Sequence, residues 1–271
     1  DTVCYPAKLM HGHIENLLSK GVDAIFYPCM TYNLDEHRTQ NCYNCPVVAY
    51  YPELLKANMP HLKDMDFMMP YFEPDRKKDF VRLAGAYFCK KYSHINKRMV
   101  KRAIDHAFAE LEHYYADIAE AGVKAIEFAD EHNLQIAVIA GRPYHVDPEI
   151  NHGIDRMIQS YGMVIVSEDA VAPLSEMPQV NVFNQWTYHS RMYAAANYVT
   201  QKENAQIIQL VSFGCGIDAI TTDEMRAITE ESGKIYTQLK IDEINNLGAA
   251  KIRIRSMIAA VEERRNYVRK P

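Results

Sequence analysis

Residues Asp23–Pro46 read D-A-I-F-Y-P-C-M-T-Y-N-L-D-E-H-R-T-Q-N-C-Y-N-C-P, and this stretch decides the predicted fold class. Its first apolar run, residues 24–27, has the length and the β-branched and aromatic content of a buried strand. Cys29 follows almost at once, and a polar loop then carries Cys42 and Cys45 ahead of a second apolar run. Ligands bind at the carboxyl ends of strands in open α/β sheets. Three cysteines between two apolar runs therefore predict a binding site.

Apolar strand-like runs alternate with amphipathic helical patterns along the rest of the chain. This alternation predicts an α/β fold of two Rossmann- or flavodoxin-like parallel-sheet domains, with an interdomain cleft and a helical connection. Residues 1–95 are predicted to form an N-terminal α/β domain, residues 96–133 the helical connection, and residues 134–271 a C-terminal α/β domain. Strands are predicted at residues 24–27, 47–51, 66–69, 134–140, 163–166, 205–211 and 236–241. Helices are predicted at residues 6–20, from 52, and at 75–92, 96–133 (one helix, or two broken near Gly122), 149–161, 188–202, 222–231 and 248–265.

Composition narrows the class of protein. The chain has 271 residues, of which 48% are apolar and 24% charged, as is typical of a soluble globular protein. Its net charge of −5 gives no electrostatic reason to expect nucleic acid or an anionic membrane as a partner, and no apolar run approaches the length that spans a bilayer. The start, D-T-V-C-Y-P, is not a signal peptide, and its lack of an initiator Met suggests a piece cut from a longer protein or a processed one. A cytoplasmic location follows, with cysteines as thiols or metal ligands rather than disulfides.

Two further cysteines lie at predicted element ends. Cys4 directly precedes the helix that begins near Pro6, where backbone N–H groups and the helix dipole favour a thiolate or an anionic cluster. Cys215 follows an apolar strand, stands between two glycines and precedes a helix. A tight turn with a chance cysteine is the alternative interpretation. With Cys29 in an equivalent place, we expect Cys4, Cys29 and Cys215 to lie close together and to ligate one metal centre.

The Cys42-x-x-Cys45 pair allows three interpretations. Thioredoxin-like redox chemistry fits poorly, because Pro46 and an apolar run follow the second cysteine. Structural zinc needs four ligands, and one pair with a single nearby histidine does not supply them. Iron–sulfur ligation tolerates wider spacing and uses thiolates, so the five cysteines together favour it. The sixth, Cys89, has the helical spacing of a buried core residue and is predicted to be inert.

Histidine, arginine and glycine residues give weaker evidence of a functional site. His11 follows Cys4 in the sequence and is a candidate neighbour of the metal centre. Arg142 and His145 stand in the turn after a predicted strand and could hold an anionic group there. That turn lacks the G-x-G-x-x-G spacing of dinucleotide sites, and the sequence holds neither a P-loop nor a G-x-S-x-G elbow.

Several motifs together resemble a known family. They are C-Y-P-A-K-L-M-H-G-H-I, D-A-I-F-Y-P-C, N-C-P-V-V-A-Y-Y-P-E, A-G-R-P-Y-H-V-D-P-E-I-N-H-G, S-F-G-C-G-I-D-A and L-K-I-D-E. Nearly the whole chain resembles a domain fused to the ATPase activator of the 2-hydroxyacyl-CoA dehydratase system. It is more distantly similar to the dehydratase, to benzoyl-CoA reductase and to double-cubane-cluster reductase components. The Cys42–Cys45 pair departs from the dehydratase pattern.

This resemblance implies an iron–sulfur reductase or electron-transfer module of anaerobic metabolism. Its [4Fe–4S] or double-cubane cluster would lie in the interdomain cleft, held by Cys4, Cys29 and Cys215. Cys42, Cys45 and His11 are further candidates for the cofactor site. The implied partner is an ATP-dependent activator that delivers low-potential electrons, and a homo-oligomer and a small-molecule or acyl-CoA substrate are compatible with it. The rival interpretation is a non-catalytic zinc-binding or metal-free interaction domain that positions the activator.

Overall fold

The computed structural model describes residues 4–212, 214–241 and 247–268, and its alternation of helices with parallel strands confirms the predicted α/β class. The strands are β1 (Ala24–Phe26), β2 (Asp66–Met68), β3 (Ile136–Ala140), β4 (Val164–Ser167), β5 (Ala205–Val211) and β6 (Tyr236–Lys240). The helices are α1 (Tyr5–Ser19), α2 (Pro46–Ala49), α3 (Tyr51–Asn58), α4 (Lys77–Lys91), α5 (Lys97–Glu131), α6 (Pro148–Asn151), α7 (Ile154–Ser160), α8 (Glu168–Val171), α9 (Thr187–Gln201), α10 (Gly216–Glu231) and α11 (Gly248–Val268). Short 3-10 helices cover Pro60–Lys63, Pro143–Val146 and Ala172–Leu174. Within the described residues, no helix is both long and apolar enough to cross a membrane.

The chain divides into two compact units, and the first comprises Asp1–Tyr114 and Asn184–Thr187. Its sheet pairs β1 with β2 in parallel. Successive strand residues point to opposite faces. Ile25 accordingly packs with residues of α1 and α3, whereas the ring of Phe26 lies 5.3 Å from that of Phe88 in α4. Each face of this small sheet thus supports its own apolar cluster.

Residues 184–187 complete the first unit from a distant part of the sequence. The backbone N–H of Gln40 donates to the carbonyl of Asn184 at 3.1 Å, and that of Tyr43 donates to Gln185 at 2.9 Å. Tyr43 also forms a parallel bridge with Trp186. These contacts anchor the loop that carries Cys42.

The second unit comprises Tyr115–Phe183 and Tyr188–Pro271, and its four parallel strands lie in the order β4-β3-β5-β6. Ile136, Val138 and Ala140 of β3 pack into a cluster with residues of α5, α9 and α10. Ala137 and Ile139 pack on the other face with residues of α7 and α11. Helices cover both faces of a buried parallel sheet, which is the doubly wound arrangement.

The strand predicted at residues 47–51 was wrong. This run instead forms α2 and the start of α3, and Val48 and Tyr50 are exposed. The cause is proline, because Pro46 and Pro52 each stand in the first turn of a helix, where a fixed φ favours the helical conformation. The strand that pairs with β1 is β2, predicted at residues 66–69.

Glycine positions explain two features of the helices, one of which decides between predicted alternatives. The helix predicted at residues 96–133 is continuous, since Gly122 serves close packing: a Cβ there would lie 2.6 Å from Cβ of Ala170. The single helix predicted at residues 149–161 is divided into α6 and α7, because His152 and Gly153 both have left-handed backbone conformations. Helix α10 begins six residues earlier than predicted, directly after Cys215.

Candidate functional site

The strand order of the second unit places the carboxyl ends of β3 and β5 side by side. β4 lies beyond β3 and β6 lies beyond β5, so the chain leaves the two central strands in opposite directions. In doubly wound sheets, such a switch point opens a crevice in which ligands bind. The turn after β3 carries Arg142, and the turn after β5 carries Ser212 and Cys215. The candidate site is built around these turns.

The Arg142 guanidinium joins the two turns. Its Nη2 donates to Oδ2 of Asp218 at 2.7 Å, and its Nη1 donates to Sγ of Cys215 at 2.9 Å. Cys215 is the N-cap residue of α10, and its sulfur also accepts from the backbone N–H of Asp218 at 3.5 Å. Asp218 in turn accepts from the backbone N–H of Ser212 at 2.9 Å. The Cys215 sulfur therefore accepts from one guanidinium N–H and from one backbone N–H at the start of α10.

A tyrosine, a serine and a histidine complete the turns. The Tyr144 hydroxyl accepts from Nη2 of Arg142 at 2.8 Å and hydrogen-bonds to the Ser212 hydroxyl. Nδ1 of His145 accepts from the backbone N–H of Arg142 at 3.0 Å, so the ring proton belongs on Nε2, which lies 3.5 Å from Ser212 Oγ. Position 141 requires glycine, because a Cβ on Gly141 would lie 2.4 Å from His145 Nδ1.

Burial sets the charges of these groups. Burial alone would lower the pKa of Arg142, but the Asp218 carboxylate raises it, and the guanidinium stays charged. Burial, and then the charge of Arg142, hold the pKa of His145 well below its ordinary value. Burial raises the pKa of Tyr144. At neutral pH the site therefore presents one paired cation flanked by a neutral imidazole and a neutral phenol.

Two more buried ionisable residues belong to this unit. Glu168 follows β4 directly, lies next to the backbone N–H of Gly141, and has its pKa raised by burial to about 8. His189 in α9 is 3% exposed, and burial followed by the charge of Arg142 lowers its pKa to about 3. Both side chains are therefore largely uncharged at neutral pH.

Cys29 in the first unit has a different environment. It follows β1, is fully buried and pairs with Tyr71 in a parallel bridge. Its sulfur lies near the Tyr71 hydroxyl and the backbone N–H of Glu53, which stands in the first turn of α3. Burial, and then the charge of Glu53, raise the pKa of the Cys29 thiol. A metal ion that binds this sulfur must therefore displace its proton.

The other predicted residues are also in the first unit. Cys4 is the N-cap residue of α1 and is half-buried, and Cys45 is the N-cap residue of α2. Cys42 is buried, and burial raises the pKa of its thiol. Nδ1 of His11 lies 2.8 Å from a carbonyl oxygen one turn earlier in α1. Cys89 is half-buried, so the prediction that it is a buried core residue was wrong.

Comparison with known proteins bears on these residues. A family model described as the CoA enzyme activase uncharacterised domain matches residues 1–171, more than half of the chain. The chain belongs to this family. The residues of this activase-family chain that the model matches include Arg142 and the cysteines of the first unit, whereas Cys215 and Asp218 lie beyond them. No curated protein matches the chain.

Three candidate residues of this activase-family chain lie together in the second unit. Arg142, His145 and Cys215 meet at the switch point, although the sequence had placed them at separate strand ends and had not linked the first two to the cysteine. Among residues 4–212, 214–241 and 247–268, no three His, Cys, Asp or Glu side chains form a group that could hold a metal ion. Cys4 and Cys29 belong to one unit and Cys215 to the other, so their proximity stays a prediction.

Some residues of the site were not predicted. Asp218 accepts a hydrogen bond from the Arg142 guanidinium and Ser212 hydrogen-bonds to Tyr144, yet neither residue was a candidate from the sequence. The available signal was their position within S-F-G-C-G-I-D-A, around Cys215. Phe213 of this motif, and Asp242 and Glu243 of L-K-I-D-E, lie outside the described residues.

Proposed function

We propose that this activase-family chain is an iron–sulfur electron-transfer module in which Cys4, Cys29 and Cys215 hold a [4Fe–4S] or double-cubane cluster. One observation supports the proposal: the side chain of each of these cysteines lies at or near the N-terminal end of a helix. Cys4 and Cys215 are N-cap residues, and the Cys29 sulfur lies near a backbone N–H in the first turn of α3. Because a thiolate-bound cluster is anionic, helix N-termini lower its energy.

Arg142 adds a specific electrostatic contribution. When bound, an iron–sulfur cluster takes up and passes on single electrons, and its potential depends on the net charge and the hydrogen bonds at its sulfur ligands. The Arg142 guanidinium lies 2.9 Å from Cys215 Sγ and is fixed there by Asp218. Arg142 would therefore orient the Cys215 sulfur and favour the reduced state.

The family supports a partner of the activase type. We propose that this partner is an ATP-dependent activator that delivers low-potential electrons, because the present sequence has no P-loop of its own. Three protein thiolates leave one iron of a cubane without a cysteine ligand. Activation of a small-molecule or acyl-CoA substrate, as well as electron relay, falls within the proposal.

The experiment is anaerobic purification followed by iron and acid-labile sulfide assays and visible absorption spectra. We expect iron and sulfide in about equal amounts and a thiolate-to-iron charge-transfer band. Cys215→Ser should lose both elements, whereas Cys89→Ser, the matched control in α4, should keep them. Stoichiometric zinc without sulfide would contradict the proposal and favour the interaction-domain alternative, as would equal iron loss in the two variants.

A further inference from the structure

A cavity of about 790 Å³ lies in the first unit, and none of the cysteines lines it. Its walls come from Phe26 of β1, from Phe72, and from the facing sides of α4 and of the N-terminal part of α5. Sites for small molecules commonly measure about 300 to 1,000 Å³ and are mostly apolar. This cavity has the size and the lining of such a site.

The cavity leaves aromatic surface uncovered. Phe72 is 2% exposed and packs on the rings of Phe80 and Phe88, at 5.2 and 6.4 Å between centroids. By contrast, Phe26 is 46% exposed and Met99, which also lines the cavity, is 49% exposed. Covering apolar surface with an apolar ligand is favourable in proportion to the area buried. An apolar chain fits this part of the cavity.

Positive charge stands on the α5 side of the cavity. Arg102 and His106, one helical turn apart, are its only lining residues with polar side chains. Within the described part of the chain, neither side chain has a hydrogen bond or an ion pair. The acidic residue between them, Asp105, is already paired with Lys77 at 3.3 Å and with Lys101. The charge of Arg102 is therefore available to an anionic group.

We propose that this cavity binds an amphiphilic carboxylate, with its apolar chain among the phenylalanine rings and its carboxylate at Arg102. Apolar walls with a cation at one side match a ligand that is apolar along its length and anionic at one end. Arg guanidinium groups bind carboxylates through paired N–H donors. The inference is independent of the cluster, because the cavity and the cysteines share no residue.

Calorimetric titration of the delipidated chain with decanoate tests the proposal, with decan-1-ol and acetate as probes that keep only the chain or only the charge. We expect saturable binding of decanoate at one site per chain, weaker binding of decan-1-ol and none of acetate. Arg102→Gln should weaken decanoate binding about tenfold and leave decan-1-ol binding unchanged. Arg156→Gln, an exposed α7 residue that does not line the cavity, should change neither.

A second pair of variants tests the location. Ala103→Trp places a large ring at the cavity from an exposed α5 position and should abolish binding of both chain-bearing probes. Ala109→Trp, at an exposed α5 position that does not line the cavity, should bind as the unmodified chain does. Circular dichroism checks that both variants fold. The proposal would be overturned if decanoate binding did not saturate, or if the two tryptophan variants had equal effects. It would also be overturned if the chain formed a dimer that Ala103→Trp disrupts but decanoate does not dissociate.

Discussion

Asp218→Asn removes the carboxylate that pairs with Arg142 while keeping the shape of the side chain. The two groups lie 2.7 Å apart, and their side chains are 13% and 6% exposed. Removing one partner of a buried ion pair costs about 3 to 5 kcal/mol, because the other charge stays buried without compensation. The Tyr144 hydroxyl and the Cys215 sulfur still accept from the guanidinium, which places the expected loss near the lower limit, about 3 kcal/mol.

A double-mutant cycle measured by urea unfolding and circular dichroism at pH 7 isolates this pair. Arg142→Met should cost a similar amount, and the double variant should cost less than the sum of the two by about 2 kcal/mol, since no charge is left buried. The matched control is Asp223→Asn in the same helix, whose partner Arg226 lies 3.5 Å away in a solvent-exposed pair. That change should cost less than about 1 kcal/mol. Additivity of the two buried substitutions within about 0.5 kcal/mol would refute the reasoning.

The other predictions concern packing and protonation. Gly122→Ala should destabilise the chain by about 1 to 2 kcal/mol in urea unfolding, because the new methyl group meets Ala170. Gly12→Ala in α1, where a Cβ meets nothing within 4 Å, should instead stabilise by up to about 1 kcal/mol, and a loss there would contradict the packing argument. The pKa of Glu168 is about 8 in the folded chain and near 4.5 in the unfolded chain. The stability that comes from its protonated form is therefore lost as the pH rises from 4.5 towards 8. Relative to the unmodified chain, the free energy of unfolding of Glu168→Gln should therefore rise by about 2 kcal/mol between pH 6 and pH 8. If the two chains instead gave parallel pH profiles of unfolding, Glu168 would be ionised throughout this range.

The positions of Arg142, His145 and Cys215 directly after strands were predictable because strand ends are local features. The apolar runs before Arg142 and Cys215 end abruptly, and the residues that follow such runs face a common edge of a parallel sheet. Asp218 escaped prediction because an acidic residue in the first turn of a helix is ordinary. Its role depends on Arg142, which is 76 residues away in the sequence.

The errors in the first unit have a similar origin. Residues 47–51 have the composition of a strand, but Pro46 and Pro52 start helices on both sides, and an apolar run this short does not outweigh them.

The protonation states of Glu168 and His189 in the second unit could not be predicted from the sequence either. Their pKa values follow from burial by residues distant in sequence, which no local pattern encodes.

The segment 184–187 has a consequence for synthesis on the ribosome. Gln40 and Tyr43 donate backbone N–H groups to carbonyls of this segment, so the first unit cannot close these bonds until residue 187 has left the exit tunnel. By then, β3 and β4 of the second unit have already been translated. Vectorial folding, in which one domain finishes before the next begins, is therefore ruled out for the loop that carries Cys42. A nascent chain stalled near residue 171 would expose that loop to proteases, and release of a longer chain would protect it.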